Sequence, residues 1–223
     1  MTRKLLICTW FGDLPEWYDD WQANVDRLTW VGYDVFLITD ERWWATRAKQ
    51  TLGVTWPKHA DGRKACDYRA CFGVMFGREL SLGNYDFWGH TDLDCVYGRV
   101  EEFCTEEFLD GVDIYANHFD YVSGPWSLYR NTELVNHAYQ QVEDWQGHLT
   151  GDVTTGWVET DFTRAVDALA AEGKLRVAYH YWQTQNLNDF STLTWDGDQL
   201  MENGREVMMA HFRRTKVYPE GCR

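Results

Sequence analysis

KLLICTWFGDLPEWYDDWQANVDRLTWVGYDVFLITD, residues 4–40, is the stretch that decides the fold class. Its two ends, KLLICTWF (4–11) and YDVFLITD (33–40), are short apolar runs rich in β-branched and aromatic residues, so both are predicted strands. Between them Leu14, Trp17, Tyr18, Trp21, Val25 and Leu28 recur at steps of three and four, which places them on one face of a helix. Strand, helix, strand is the signature of a parallel α/β unit.

Further along, ERWWATRAKQTLGVTWPKHADG (41–62) reads as a short helix and a loop, and RKACDYRACFGVMFGREL (63–80) as a helix despite Gly73. YDFWGHTDLDCVYG (85–98) is a central strand running into a turn. VDIYANH (112–118), VSGPWSLYR (122–130) and KLRVAYHYW (174–182) are further strands. TELVNHAYQQVEDW (132–145) is helical with Thr132 as N-cap. TDFTRAVDALAAEG (160–173) is the clearest helix: Phe162, Val166 and Leu169 share a face and Gly173 suits the C-terminal end. TLTWDGDQLMENGREVMMAHF (192–212) gives two strands around an Asn203-Gly204 turn. The expectation is one α/β domain over residues 1–223, with a mixed, mostly parallel central sheet flanked by helices.

Composition narrows the function. The chain has 35 acidic and 21 basic residues and a formal net charge of −14. A field of that sign opposes diffuse binding to phosphate backbones, although a local basic groove would still permit it. No run approaches the roughly 20 apolar residues of a spanning helix, and the basic start meets Gly12 and Asp13 too soon for a signal peptide. Six cysteines without paired metal spacing suit buried thiols in a reducing cytoplasm. Thirteen tryptophans exceed what a core of this size needs. Most are expected inside, with Trp126, Trp157 and Trp182 as candidates to stack on a sugar or base.

The chemistry concentrates in HTDLD, residues 90–94. In a strand, Asp92 and Asp94 would face one side; at a strand end they would stand on the lip where open α/β sheets bind ligands. Two carboxylates that close repel, and a divalent cation relieves the repulsion. Oxygen ligands suit Mg²⁺ or Mn²⁺. The plain alternative is a solvated turn with two acids. Far along the chain, AHFRRTK offers His211 as a further ligand and Lys216 as a cation for a diphosphate, against the alternative of a strand-end histidine.

Taken together, these segments resemble a group of bacterial and phage glycosyltransferase-like proteins with the GT-A fold. The resemblance runs over nearly the whole chain and is most specific in the pairing of KACDYR (64–69) with YDFWGHTDLDCVYG (85–98). It implies that Asp92 and Asp94 form a D-x-D metal and nucleotide-sugar motif, with Asp94 the direct ligand. His211 would complete the metal site and Lys216 would hold the diphosphate. Lys64 and Asp67 would lie near the donor sugar, and Phe11, Gly12 and Asp40 near the nucleotide base. Glu159 and Asp161, in GWVETDF, match an acidic element that could take a proton from the acceptor; Asp161 or Thr160 could equally cap the following helix.

The function so implied is a Mn²⁺- or Mg²⁺-dependent transfer of a sugar from a nucleoside diphosphate sugar, expected to be a UDP-sugar. Its acceptor is a glycan or a hydroxylated base in phage DNA, and it works in the cytoplasm. Two other classes compete. A metal-dependent phosphoesterase or nuclease would need more converging acids and histidines, often around two metals. A non-catalytic glycan-binding domain would bind sugar without metal or nucleotide.

Overall fold

The computed structural model of the protein describes residues 1–122, 124–185, 193–196 and 198–212. β1 (Lys4–Thr9) and β2 (Tyr33–Ile38) pair in parallel, joined by α1 (Tyr18–Leu28). After β2 come α2 (Glu41–Leu52), a 3₁₀ segment (Gly62–Cys71), α3 (Phe72–Met75) and α4 (Gly77–Gly83). β3 (Phe87–Thr91) and β4 (Cys95–Tyr97) follow, then α5 (Val100–Phe103), α6 (Glu106–Asp110), β5 (Ile114–Ala116) and β6 (Trp126–Arg130). α7 (Glu133–Asn136), α8 (Trp145–Thr150) and α9 (Asp161–Ala171) lead to β7 (Val177–Tyr179). The last strands are β8 (Gln183–Gln185), β9 (Leu193–Trp195), β10 (Leu200–Glu202), β11 (Arg205–Glu206) and β12 (Met209–His211).

The main sheet runs β2-β1-β3-β6-β5-β7. Only β6 is antiparallel to its neighbours, so β1, β2, β3, β5 and β7 all deliver their carboxyl ends to one edge. Successive β1 side chains alternate between two cores. Leu5 and Ile7 join Trp44, Phe72, Trp88 and Phe162 on one face, while Leu6 and Cys8 join Trp21, Val96, Trp126 and Met209 on the other. A sheet covered on both faces explains why the strand reads as an unbroken apolar run. Gly89 admits the close approach of β6, because a Cβ there would collide with the Ser127 carbonyl.

Several elements differ from expectation for identifiable reasons. Residues 63–80 do not form one helix: a 3₁₀ segment comes first, then two short α-helical pieces. Gly73 lies so close to the Trp88 indole that a Cβ would come within 2.8 Å of Nε1. The helix expected from Thr132 also breaks, at Asn136, whose side chain bonds Trp88 Nε1 at 2.6 Å and Asn131 at 2.9 Å. By contrast, α2 is a full 12-residue helix closed by Gly53 at φ 72°. The Asn203-Gly204 turn forms as expected, with φ of 51° and 77°, between β10 and β11.

At 85–98 the central strand runs into a turn as expected, and the unexpected feature is a second strand after it. The strand ends at Thr91, the chain turns through Asp92–Asp94, and β4 enters a second sheet of order β4-β12-β8. Because β12 is antiparallel to β4, His211 falls opposite Cys95.

Candidate metal and nucleotide-sugar site

The turn after β3 is fixed at each of its three carbonyls. The Tyr97 hydroxyl donates to Asp92 O at 3.1 Å, Trp17 Nε1 to Leu93 O at 3.1 Å, and Phe212 N to Asp94 O at 3.0 Å. Leu93 is buried inward and the two carboxylates turn the other way, toward β12. Asp94 Oδ1 is 3.2 Å from His211 Nε2, and Asp92 Oδ2 is 4.0 Å from the same nitrogen. Side-chain exposure is 24% for Asp92, 11% for Asp94 and 8% for His211, so the group is recessed yet open on the Asp92 side.

The other oxygen of Asp92 accepts from Arg69 Nη2, while Arg69 Nη1 donates to the Gly124 carbonyl. The local geometry of the 3₁₀ segment explains this reach. Side chains three apart eclipse in such a helix, so Lys64 and Asp67 share one side while Cys66 and Arg69 share another. Burial pushes the Asp92 carboxyl above its usual range; Arg69 pulls it down, Asp94 pushes it further up and His211 pulls it down. Among the described residues, the Arg69 guanidinium and the His211 imidazole face the two carboxylates.

Such a group suits a hard divalent cation. Asp94, Cys95 and His211 each offer a ligand atom within 4.8 Å of the others. Burial, with Asp94 and Asp92 adding to it, holds the Cys95 thiol well above its usual range. The carboxylate oxygens and the imidazole nitrogen form a donor set that suits Mn²⁺ or Mg²⁺. The 3.2 Å between Asp94 Oδ1 and His211 Nε2 also matches adjacent corners of an octahedron with bonds of about 2.1 Å.

The other expected residues divide into two groups. Glu159 lies beside this site: its Oε1 and Arg69 Nη1 are 3.1 and 3.0 Å from the point a Gly124 Cβ would occupy. Asp161 points elsewhere, bonding Arg164 at 2.9 Å and approaching His148 at 3.6 Å. Thr160 takes the N-cap position of α9, but its hydroxyl turns back to the carbonyls of Gly156 and Trp157, 3.5 Å away, so the expected side-chain cap is not made. Phe11 packs edge-on against Trp44 and Trp56, Gly12 has φ 102°, and Asp40 caps α2 through the N–H groups of Arg42 and Trp43.

Lys64 and Asp67 are wholly enclosed. Lys64 Nζ donates to Asp67 at 2.8 Å and to the His148 and Val153 carbonyls, while Asp67 accepts from Thr155 N and Gly156 N. All three ammonium donors are therefore used in tying the 148–156 loop to the 3₁₀ segment, and none faces the cleft. Trp126 and Trp157 are fully buried and offer no stacking face, whereas Trp182 is half-buried. Arg130 holds Asp113 and the Leu109 and Val112 carbonyls at the opposite edge of the sheet. Lys216, with Arg213 and Arg214, lies outside the described residues. Arg69 and Gly124 were not singled out as site residues by the sequence; the signal for Arg69 was its place in KACDYR, in register with Lys64 and Asp67.

Residues 44–219 match the sequence profile of a family of unknown function, DUF6625. The chain belongs to that family. No curated protein matches the sequence of this DUF6625 member. Among solved structures, it is similar to a glycosyltransferase involved in glycosylation of the major capsid of PBCV-1, with 8% identity, 96% of this chain and 94% of that chain covered, and a TM-score of 0.55. That likeness shows the fold, a GT-A-like α/β domain. The galactosyltransferase LgtC with donor and acceptor sugar analogs (11% identity; 94% and 86% covered; TM-score 0.43) and mouse xyloside xylosyltransferase 1 (12%; 96% and 87%; 0.44) are more distant. No helix among the described residues is long and apolar enough to cross a membrane.

Proposed function

We propose that this DUF6625 chain is a metal-dependent glycosyltransferase using a nucleoside diphosphate sugar, a UDP-sugar in the first instance. The observation that carries the reading is the convergence of Asp94 and His211, with Asp92 beside them, at the carboxyl end of β3. Asp92, Asp94 and His211 would hold Mn²⁺ or Mg²⁺, which supplies Lewis-acid stabilisation of the diphosphate as it leaves. Among the described residues, the group of three that could hold a metal is Asp94, Cys95 and His211, and Asp92 Oδ2 lies 4.0 Å from the His211 imidazole.

The chain's own groups then have separate tasks. Arg69 fixes one oxygen of Asp92 and so orients the other toward His211. Glu159 stands where its carboxylate can accept the proton of an attacking acceptor hydroxyl, beside the Arg69 guanidinium. Asp161 is committed to Arg164 and is not the base in this reading. Phe11, Gly12 and Asp40 border the nucleotide base, and Lys216 reaches the diphosphate. Lys64 and Asp67 serve the donor indirectly, by holding the loop that leads to Glu159. The acceptor is a glycan or a hydroxylated DNA base.

Metal-dependent hydrolysis across UDP-, GDP-, TDP- and CMP-sugars, with wild type and Asp94→Asn, tests the reading. One donor consumed only with Mn²⁺ or Mg²⁺, and spared by Asp94→Asn, is the expected result. A folded protein that binds no donor with either metal would overturn it.

A further inference from the structure

Phe119 is 67% exposed, yet its ring stacks on Tyr181 with centroids 4.2 Å apart and planes within 11°. Beside this pair, His118 stacks on Tyr121 at 3.5 Å and meets Tyr181 edge-on at 6.0 Å. The four rings come from two loops, one after β5 and one after β7. Those strands are in register at Ala116 and Tyr179. Asn117 then locks the loops together: its side-chain oxygen accepts from Trp182 N at 2.8 Å and its carbonyl from Gln183 Nε2 at 2.5 Å. The result is a rigid aromatic shelf facing solvent, although burying Phe119 would be the favourable course for an isolated ring.

Its position relates it to the carboxylates. Thr91 and Ala116, the last residues of β3 and β5, pair with adjacent residues of β6, Trp126 and Ser127. With strands about 4.8 Å apart, β5 ends about 10 Å and β7 about 14 Å from the end of β3 along the same edge. The loop joining β5 to β6 also carries Gly124, whose carbonyl takes Arg69. A short oligosaccharide would span that interval. The described charges near the shelf are Asp120, 3.4 Å from His118; Asp167, bonded by the Tyr179 hydroxyl at 2.8 Å; Glu202; and Arg205, which donates to the Tyr181 carbonyl at 3.3 Å. Acids outnumber bases there, as they do over the whole chain. A polyphosphate backbone would be repelled, while the apolar C–H face of a pyranose could lie flat on the exposed ring.

We propose that the Phe119–Tyr181 shelf is the acceptor subsite and that the acceptor is a neutral glycan rather than a DNA base. The assignment rests on the transferase reading, so the two are measured separately. Binding of neutral trisaccharides of glucose, galactose, mannose and N-acetylglucosamine to the full chain is followed by saturation-transfer NMR and titration, in chelator and without nucleotide. Donor hydrolysis by wild type is assayed in parallel. At least one trisaccharide is expected to bind, with Kd raised about tenfold or more by Phe119→Ala and by Tyr181→Ala, and nearly restored by Tyr181→Phe. Binding indifferent to these substitutions overturns the subsite, as does a wild type that consumes a donor yet binds no trisaccharide. A duplex containing 5-hydroxymethylcytosine that binds more tightly than every trisaccharide overturns the glycan assignment. A trisaccharide held at Phe119 by a chain that consumes no donor overturns both the acceptor role and the transferase reading.

Discussion

Lys64–Asp67 and Asp92–Asp94 are both recessed polar groups on the main domain, and the first pair lies on the same 3₁₀ segment that sends Arg69 to the second. They handle negative charge in opposite ways. Asp67 faces one ammonium and two backbone N–H groups, so charge and hydrogen bonding close within the protein. Asp92 and Asp94 have a single guanidinium on one oxygen and an imidazole on the other side. The closed group is satisfied within the protein. The other sets two carboxylates side by side at the lip of the sheet, the arrangement on which the proposed cation site rests.

The largest test of that contrast is Lys64→Met. Removing one partner strands Asp67 without its cation, and stability should fall by about 3–5 kcal/mol in urea unfolding. A small loss would mean that the pair is not closed as described. Asp94→Asn should do the reverse. Folding stability should hold or rise slightly as like-charge repulsion is relieved, while metal-dependent donor turnover should fall by about a hundredfold or more. Mn²⁺ is expected to raise the Tm of the wild type, reversibly on chelation, and the same substitution should abolish that rise.

These contrasts bear on what the sequence could disclose. The opening β1-α1-β2 unit was legible because periodicity is local: β1 alternates between two cores and α1 repeats every three to four residues. The position of Asp92 and Asp94 at the end of β3 was legible too, because charge following an apolar strand is anomalous. Less legible was the fate of KACDYR. All three of its charged side chains look alike in sequence, and only the eclipsed geometry of a 3₁₀ helix sorts Lys64 and Asp67 inward from Arg69 toward Asp92. Glu159 was the better base candidate in the sequence, with Asp161 offered as a helix cap, and the start of α9 between them turns Asp161 toward Arg164. The helix that ends at Asn136 meets Trp88 Nε1 through that residue's side chain, a contact that no local pattern announces.

A third carboxylate sharpens the comparison with a moderate effect. Asp113 is bonded by Arg130 at 3.1 Å and by Arg176 at 3.0 Å, at the sheet edge away from the site. Burial raises its carboxyl, but the Arg176 and Arg130 contacts outweigh it and hold the group below the usual range. A depressed folded value means that its stabilisation is full above the unfolded pKa of about 4 and disappears as pH falls through the lower folded one. Asp113→Asn should therefore cost about 1–2 kcal/mol at pH 7. Thermal melts of the two proteins should draw together as pH falls below about 4. A gap that stays constant with pH would assign the loss to packing instead. The smallest effect is expected from Cys95→Ser. With burial holding its thiol above the usual range, Cys95 is expected to stay out of the coordination and the expected Mn²⁺-dependent rise in Tm to be unchanged; loss of that rise would put sulfur in the metal's coordination.

The register of β12 on β4 has a kinetic consequence. His211 reaches Asp94 only because residue 211 finds residue 95, whereas Lys64 meets Asp67 three residues along the same segment. Closing so long a loop is among the slower events in assembling a chain, and local helices and the β1-α1-β2 unit can form before it. During refolding, recovery of tryptophan burial in the main sheet should precede recovery of cation affinity. The architecture is expected to come first, with the Asp94–His211 pair completed by the docking of one three-residue strand.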